Sequence, residues 1–297
     1  MVRIRKKVIG KQEYYYLEHT VRINGRVKKK ELYLGKRVPK DIELVKKNFM
    51  GGIYKNKWRT ILEKIKAGFL KELVRTPKSA RKKETETFGV RFTYDTQRIE
   101  GSTLTSRETA ELLERGITPK GKPVQDVKEA EAHRELFNEM LAYKKDVSLQ
   151  PILEWHKKLF QPTKPDIAGK VRVHQAAIPG SKFVPPFPAE VFPLLREFFK
   201  WYSSNEKKLH PVELASLAHL KFVTIHPFAD GNGRMSRLLM NFVLNRNNYP
   251  LFNIPYENRS SYYNALERSQ ISKNENIFVV WFVKKYIKEN GKFLKVL

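Results

Sequence analysis

A chain of 297 residues with an apolar share of 41% can bury a sizeable core, as one large domain or a domain with a smaller appendage. It has no cysteine, which excludes disulfides and thiolate metal sites and suits a reducing compartment. The formal charge of +27 is uneven, because residues 1–83 hold 26 Lys and Arg against 7 Asp and Glu. Such a block can hold nucleic acid, acidic proteins or anionic lipid by charge alone, or it can be a solvated basic surface. Apolar runs such as Phe278 to Val283 are too short to span a bilayer, and Arg3 to Lys7 leads into no signal-peptide core. The expectation is a cytoplasmic protein with no membrane segment.

The first forty residues read as strands. Glu13 to Ile23 and Arg26 to Leu34 are rich in β-formers and flank Asn24-Gly25, a strong hairpin signal. A helical stretch opens after Pro39-Lys40-Asp41, with a break expected at Gly51-Gly52, and resumes to about Arg75. Residues 76–87 are polar and basic and read as a linker or exposed loop. From Phe88 onward the pattern is helices joined by loops. Thr105-Ser106-Arg107-Glu108 is a capping box for a short helix ending near Gly116. Further helices are predicted over 125–145, 149–161, 188–204, 211–225, 234–247, 257–269 and 275–290. Val171 to Pro186 has no helical period and carries Pro179-Gly180 centrally, which predicts a β-hairpin or an extended flap.

The informative stretch is His226-Pro227-Phe228-Ala229-Asp230-Gly231-Asn232-Gly233-Arg234-Met235-Ser236-Arg237. The helices on either side are apolar around most of their circumference, so a polar loop joins two buried helices. Gly231-Asn232-Gly233 allows backbone N–H groups to converge at a helix start, a ready anion site. Arg234, Arg237 and Asn241 follow at i, i+3 and i+7 on one helix face, and two guanidinium groups beside a nest suit a polyphosphate. Asp230 beside an anion site requires a cation between them, which points to Mg²⁺ or Mn²⁺ bridging to phosphate. His226 titrates near neutral pH, as a general base requires. His219, Trp155-His156 and the run Phe198 to Tyr202 read as packed core. Tyr14, Tyr15 and Tyr16 suit base stacking or strand packing equally.

Together these residues match His-Pro-Phe-x-Asp/Glu-Gly-Asn-Gly-Arg-x-x-Arg, and nine constrained positions would coincide by chance about once in 10⁹ chains of this length. The chain therefore resembles the Fic family over roughly residues 90–290. Thr96-Gln97-Arg98-Ile99-Glu100-Gly101 is similar to the family's inhibitory pattern, Ser/Thr-x-x-x-Glu-Gly/Asn. Gly169 to Arg172, Ile178-Pro179-Gly180 and Val184-Pro185-Pro186 resemble its flap, and Tyr262 to Leu266 its adenine-pocket segment.

The resemblance implies a mainly α fold, a Fic-type helical core with a β-hairpin flap, preceded by a small basic β-hairpin and helix region. The expected division is 1–85 and 86–297, with the inhibitory motif at 96–101. It implies a protein adenylyltransferase moving AMP from ATP to a Ser, Thr or Tyr hydroxyl of a target protein. In that reading His226 is the base and Asp230 holds the metal. Gly231, Asn232, Gly233, Arg234, Arg237, Asn241, Tyr263 and Asn264 bind the nucleotide. Phe228 packs the loop, and the flap at Ile178, Pro179 and Gly180 docks the target. Glu100 would pair with Arg237 and deny it to the γ-phosphate. Two alternatives stay open: removal of AMP at the same site, and a nucleic-acid-binding protein acting through the basic amino-terminal region. A nucleic-acid or acidic partner for residues 1–83 and a homodimer are also left open.

Overall fold

The computed structural model describes residues 2–23 and 26–296, except for the side chains of residues 22, 23, 26, 47 and 54–57. Two compact units divide at Glu63/Lys64. The boundary expected from the sequence, 85/86, and this division both fall within helices.

In the first unit three antiparallel strands, β1 (Arg3–Ile9), β2 (Gln12–Ile23) and β3 (Arg26–Gly35), form a sheet in the order β1-β2-β3. The first forty residues read as strands, but only the β2–β3 pair has a turn signal to delimit it; β1, with cations at Arg3, Arg5, Lys6 and Lys7, is delimited only by the structure. The Asn24-Gly25 turn lies outside the described residues. The helix α1 runs unbroken from Ile42 to Arg75. The break expected at Gly51-Gly52 is absent, because two glycines cost a helix only about 1 kcal/mol each and a long flanking run outweighs that.

A second correction concerns residues 76–87. Pro77 caps a helix, α2 (Lys78–Ile99), where a linker was expected. Composition explains it: Lys, Arg, Glu and Ala propagate helix well, and the half from Gly89 to Ile99, with most of its residues buried, anchors the polar half. α3 (Ser106–Arg115) has the capping box as read, with Thr105 accepting from the Glu108 N–H and Gly116 closing the helix in the left-handed region.

The remaining helices follow the predicted periodicity: α4 (Val124–Ala142), α5 (Leu149–Phe160), α6 (Pro188–Asn205), α7 (Pro211–Ile225), α8 (Asn232–Arg246), α9 (Arg259–Ile271) and α10 (Glu275–Glu289). α7 and α8 are buried along most of their length and pack on each other. α6 and α10 cover α7, while α2, α4 and α5 cover α8. Residues 171–186 form neither helix nor strand, so of the two expectations the extended flap holds and the paired hairpin does not. No helix among the described residues is long and apolar enough to cross a membrane.

Candidate active site

The loop between α7 and α8 is fixed by its own side chains. Asn232 is buried and spans the loop: its Oδ1 accepts from the Phe228 N–H at 2.9 Å and its Nδ2 donates to the Phe228 carbonyl at 2.8 Å. Phe228 is stacked on His156 with ring centroids 3.7 Å apart. His156 Nδ1 accepts from the Gly169 N–H at 2.9 Å, so its Nε2 carries the proton and donates to the Asp230 carbonyl at 3.1 Å. Burial lowers the His156 pKa to about 4, which keeps this tautomer neutral.

Gly231 begins α8 with φ +80°, where a Cβ would stand 2.3 Å from a Phe160 ring carbon. Only glycine fits. The first helical bond is Met235 N–H to the Gly231 carbonyl at 2.9 Å. The N–H groups of Asn232, Gly233 and Arg234 precede it and carry the partial positive charge of a helix start.

His226 ends α7 at φ +52°, an uncommon conformation for a residue with a Cβ. Its Nδ1 lies 3.3 Å from the Val223 carbonyl, which can only accept, so Nδ1 holds the proton and Nε2 keeps a free lone pair. Burial is the main influence and lowers its pKa, against the opposing hydrogen bond to the Val223 carbonyl. The ring is neutral at pH 7. Arg172, which is 3% exposed, donates from Nε to the His226 carbonyl at 2.7 Å. Its other nitrogens donate to the His174 and Pro186 carbonyls at 2.8 and 2.6 Å, tying both ends of the flap to the loop.

Asp230 faces the helix start. Its Oδ2 accepts from Lys164 at 2.5 Å, and its Oδ1 accepts from Arg234 at 2.9 Å and from the Gly231 N–H. Burial alone would raise its pKa, but Arg234 and Lys164 outweigh that and hold the carboxyl at about 2. Arg234 also donates to Gln97 at 3.2 Å and to the buried Glu129, and lies over the Phe160 ring.

Arg237 is fully buried, and Glu100 Oε1 accepts from its Nη2 at 2.5 Å. Thr96 adds a hydroxyl and a carbonyl acceptor at 3.3 Å, and the Tyr262 hydroxyl accepts at 3.4 Å. Burial opposes the charge of Arg237, yet Glu100 overrides it and raises the pKa further. A Cβ at Gly233 would stand 2.3 Å from Glu100 Oε1, so the glycine leaves the room in which that carboxylate lies.

Two of the expected residues have side chains engaged within the protein. Asn241 is buried with its amide clamped on the Phe252 backbone, donating at 2.9 Å and accepting at 2.8 Å. Its Nδ2 also donates to the Arg237 carbonyl at 3.3 Å, so the amide braces α8. Asn232 can offer only its backbone, because its side chain is committed to Phe228. Tyr263 donates to the Ile99 carbonyl at 3.1 Å, and Asn264 is exposed on the same turn of α9. Ile178 accepts from the Ser181 N–H at 3.1 Å in the flap turn that holds Pro179 and Gly180. Lys164, Glu129 and Gln97 were missed. Glu129 alone left a signal, a carboxylate on the apolar face of α4 with His133, Leu136 and Met140.

The profile described as the Fic/DOC family matches residues 146–244. A relative named protein adenylyltransferase Fic from Drosophila ananassae is 38% identical over 178 residues, which is 59% of this chain and 35% of the relative. The Drosophila melanogaster relative of the same name is also 38% identical, with 36% of its length matched. The chain thus spans about a third of the length of these curated relatives. A Fic domain containing signaling protein from Bacteroides thetaiotaomicron superposes with a TM-score of 0.72 at 26% identity, covering 80% of this chain and 96% of that one. A segment of Fic-1 from C. elegans gives 0.71 at 26% identity, covering 86% and 77%. Residues 146–244 thus carry a segment that matches the Fic/DOC family, and the fold around it is similar to those of the Fic-domain structures.

Proposed function

We propose that this protein transfers AMP from ATP to a hydroxyl of a target protein, and that Glu100 holds the reaction in check. The observation that carries the reading is a neutral imidazole with a free Nε2 beside a helix start whose N–H groups face an ionised Asp230. Relatives bearing the name protein adenylyltransferase support the same reaction class.

The target hydroxyl gives its proton to His226 Nε2 as its oxygen attacks the α-phosphorus. The bond from that phosphorus to the bridging oxygen breaks, and pyrophosphate leaves with the bond's electron pair. The N–H groups of Asn232, Gly233 and Arg234 hold phosphate oxygens, and Arg237 takes the γ-phosphate once Glu100 withdraws. Tyr263 and Asn264 border the adenine. The flap at Ile178 to Gly180 aligns the target by main-chain hydrogen bonds, a mode that reads little sequence.

Asp230 fits a divalent cation, since it is ionised and two cationic side chains already share its oxygens. Among the described residues no group of three or more His, Cys, Asp or Glu could hold a metal. One carboxylate plus substrate phosphates and water is the usual environment of Mg²⁺. Mg²⁺ there would neutralise the charge on the α- and β-phosphates.

The test is incubation of the purified protein with Mg²⁺ and either α-labelled or γ-labelled ATP. Label should reach protein from the α position alone. Transfer from the γ position would make the protein a kinase and overturn the reading.

A further inference from the structure

The catalytic reading leaves the amino-terminal sheet without a role. Residues 1–35 hold ten Lys and Arg against three Glu. Successive side chains of a strand point to opposite faces, so the pairing register sorts them. Arg3 lies opposite Glu18, Arg5 opposite Tyr16 and Lys7 opposite Tyr14, while Tyr16 lies opposite Tyr33 and Glu18 opposite Glu31. One face therefore collects three tyrosines and a set of cations. Leu17 and Val21, on the other face, are buried.

The tyrosines form one cluster. Tyr33 touches both others, with ring centroids 6.2 Å from Tyr14 and 5.2 Å from Tyr16, and it is 52% exposed. Core aromatics are seldom left so open, and a ring on a charged sheet gains nothing from water. The cations flank this cluster and are held in place by acids. Glu18, 2% exposed, accepts from Arg3 at 3.3 Å and Arg5 at 3.0 Å and pairs with Lys29. Glu31 accepts from Lys7 at 3.1 Å and Lys29 at 2.7 Å, and Lys7 also lies 4.2 Å above the Tyr16 ring centre. Four cations share two carboxylates, so the face keeps a positive surplus around the exposed Tyr33 ring and the half-buried rings of Tyr14 and Tyr16.

We infer that this face binds single-stranded nucleic acid, with bases stacking on the tyrosine cluster and phosphates meeting Arg3, Arg5, Lys7 and Lys29. Charge alone would suit a duplex, an acidic protein or an anionic membrane equally. The rings decide between them, because base faces are free to stack only when unpaired. Three strands about 4.8 Å apart give room for about three bases.

The experiment is fluorescence anisotropy of the full chain with labelled oligo-dT and oligo-U of 15 nucleotides, a duplex of equal length, and phosphatidylserine vesicles as a competitor. Both single strands should bind at low salt and the duplex more weakly. Affinity should fall with salt with a logarithmic slope of about −3, as four phosphate contacts at about 0.7 each give. Tyr33→Ala should weaken single-strand binding about tenfold or more without changing the slope, while Tyr33→Phe stays within about twofold. Arg5→Gln should reduce the slope by about 0.7. AMP transfer by Tyr33→Ala should match the parent, which shows that the chain is folded. No binding at low salt, tighter binding to the duplex, displacement by the vesicles alone, or an unchanged affinity in Tyr33→Ala would each overturn the inference.

Discussion

The α7–α8 loop and the flap of residues 171–186 meet at Arg172, yet they are held in opposite ways. In the loop, Asn232 closes on the Phe228 backbone, His156 holds the Asp230 carbonyl, and Gly231 fits against Phe160. The flap hangs from Arg172 at its ends and from Glu267, which accepts from Ser181 and the Lys182 N–H at its turn. Val173 and Val184 are 86% and 71% exposed. Positions that must meet a reacting phosphate within a fraction of an ångström are built on a braced loop. A segment that aligns a target through its main chain needs exposed backbone and few side-chain contacts. The difference predicts that changes in the loop alter chemistry and changes in the flap alter target use.

The largest effect should come from His226→Ala. Losing the base should reduce AMP transfer by about 10²- to 10⁴-fold, with nucleotide binding and the circular dichroism spectrum retained. Transfer within a few-fold of the parent would remove the loop's chemical role. Asp230→Ala should cost about a hundredfold, comparable to losing a principal electrostatic contact, and should abolish the response to Mg²⁺ after chelation. If chelation leaves the parent fully active, Asp230 has another task.

Arg172→Ala tests the flap side. It should lower kcat/KM for a protein target about tenfold while nucleotide affinity, measured by calorimetry, stays near that of the parent. A parallel loss of nucleotide affinity would show that Arg172 serves the loop more than the flap. The smallest effect concerns pH. Because burial lowers the His226 pKa, transfer should be flat from pH 7 to 8 and fall only below the ordinary histidine value of about 6.5. Stability should follow a related course, since burial holds His133 at about 3 and His156 at about 4. Unfolding lets both take up protons below about 6.5, so stability present above that pH is lost on acidification, by at most about 1.4 kcal/mol per pH unit for each. Thermal melts at pH 7 and 5 would show it.

Legibility in the sequence followed the same contrast. The loop was readable residue by residue because glycines, acid and arginines each need a fixed place, and the helices around it because apolar residues recur at helical spacing. At Asn241 spacing gives a face and not a partner, and the Phe252 backbone is its partner in the fold. Lys164 was invisible, since a lone lysine after α5 resembles any surface cation until the fold brings it to Asp230. Residues 76–87 failed for another reason: polar composition reads as a loop, whereas these residues are good helix formers carried by the buried half of α2.

Control of the site centres on the pairing of Glu100 with Arg237, in which one guanidinium would serve either a carboxylate or a γ-phosphate. The direct measurement is α-labelled AMP incorporation by the parent, by Glu100→Gly and by Glu100→Gly with Arg237→Ala. Glu100→Gly should raise incorporation about a hundredfold with little change in nucleotide affinity, as correct placement of the α-phosphate is restored. The added Arg237→Ala should bring incorporation down again. Equal incorporation by the parent and Glu100→Gly would contradict inhibition by this residue, and loss of AMP removal from a pre-modified protein in Glu100→Gly would turn the reaction the other way.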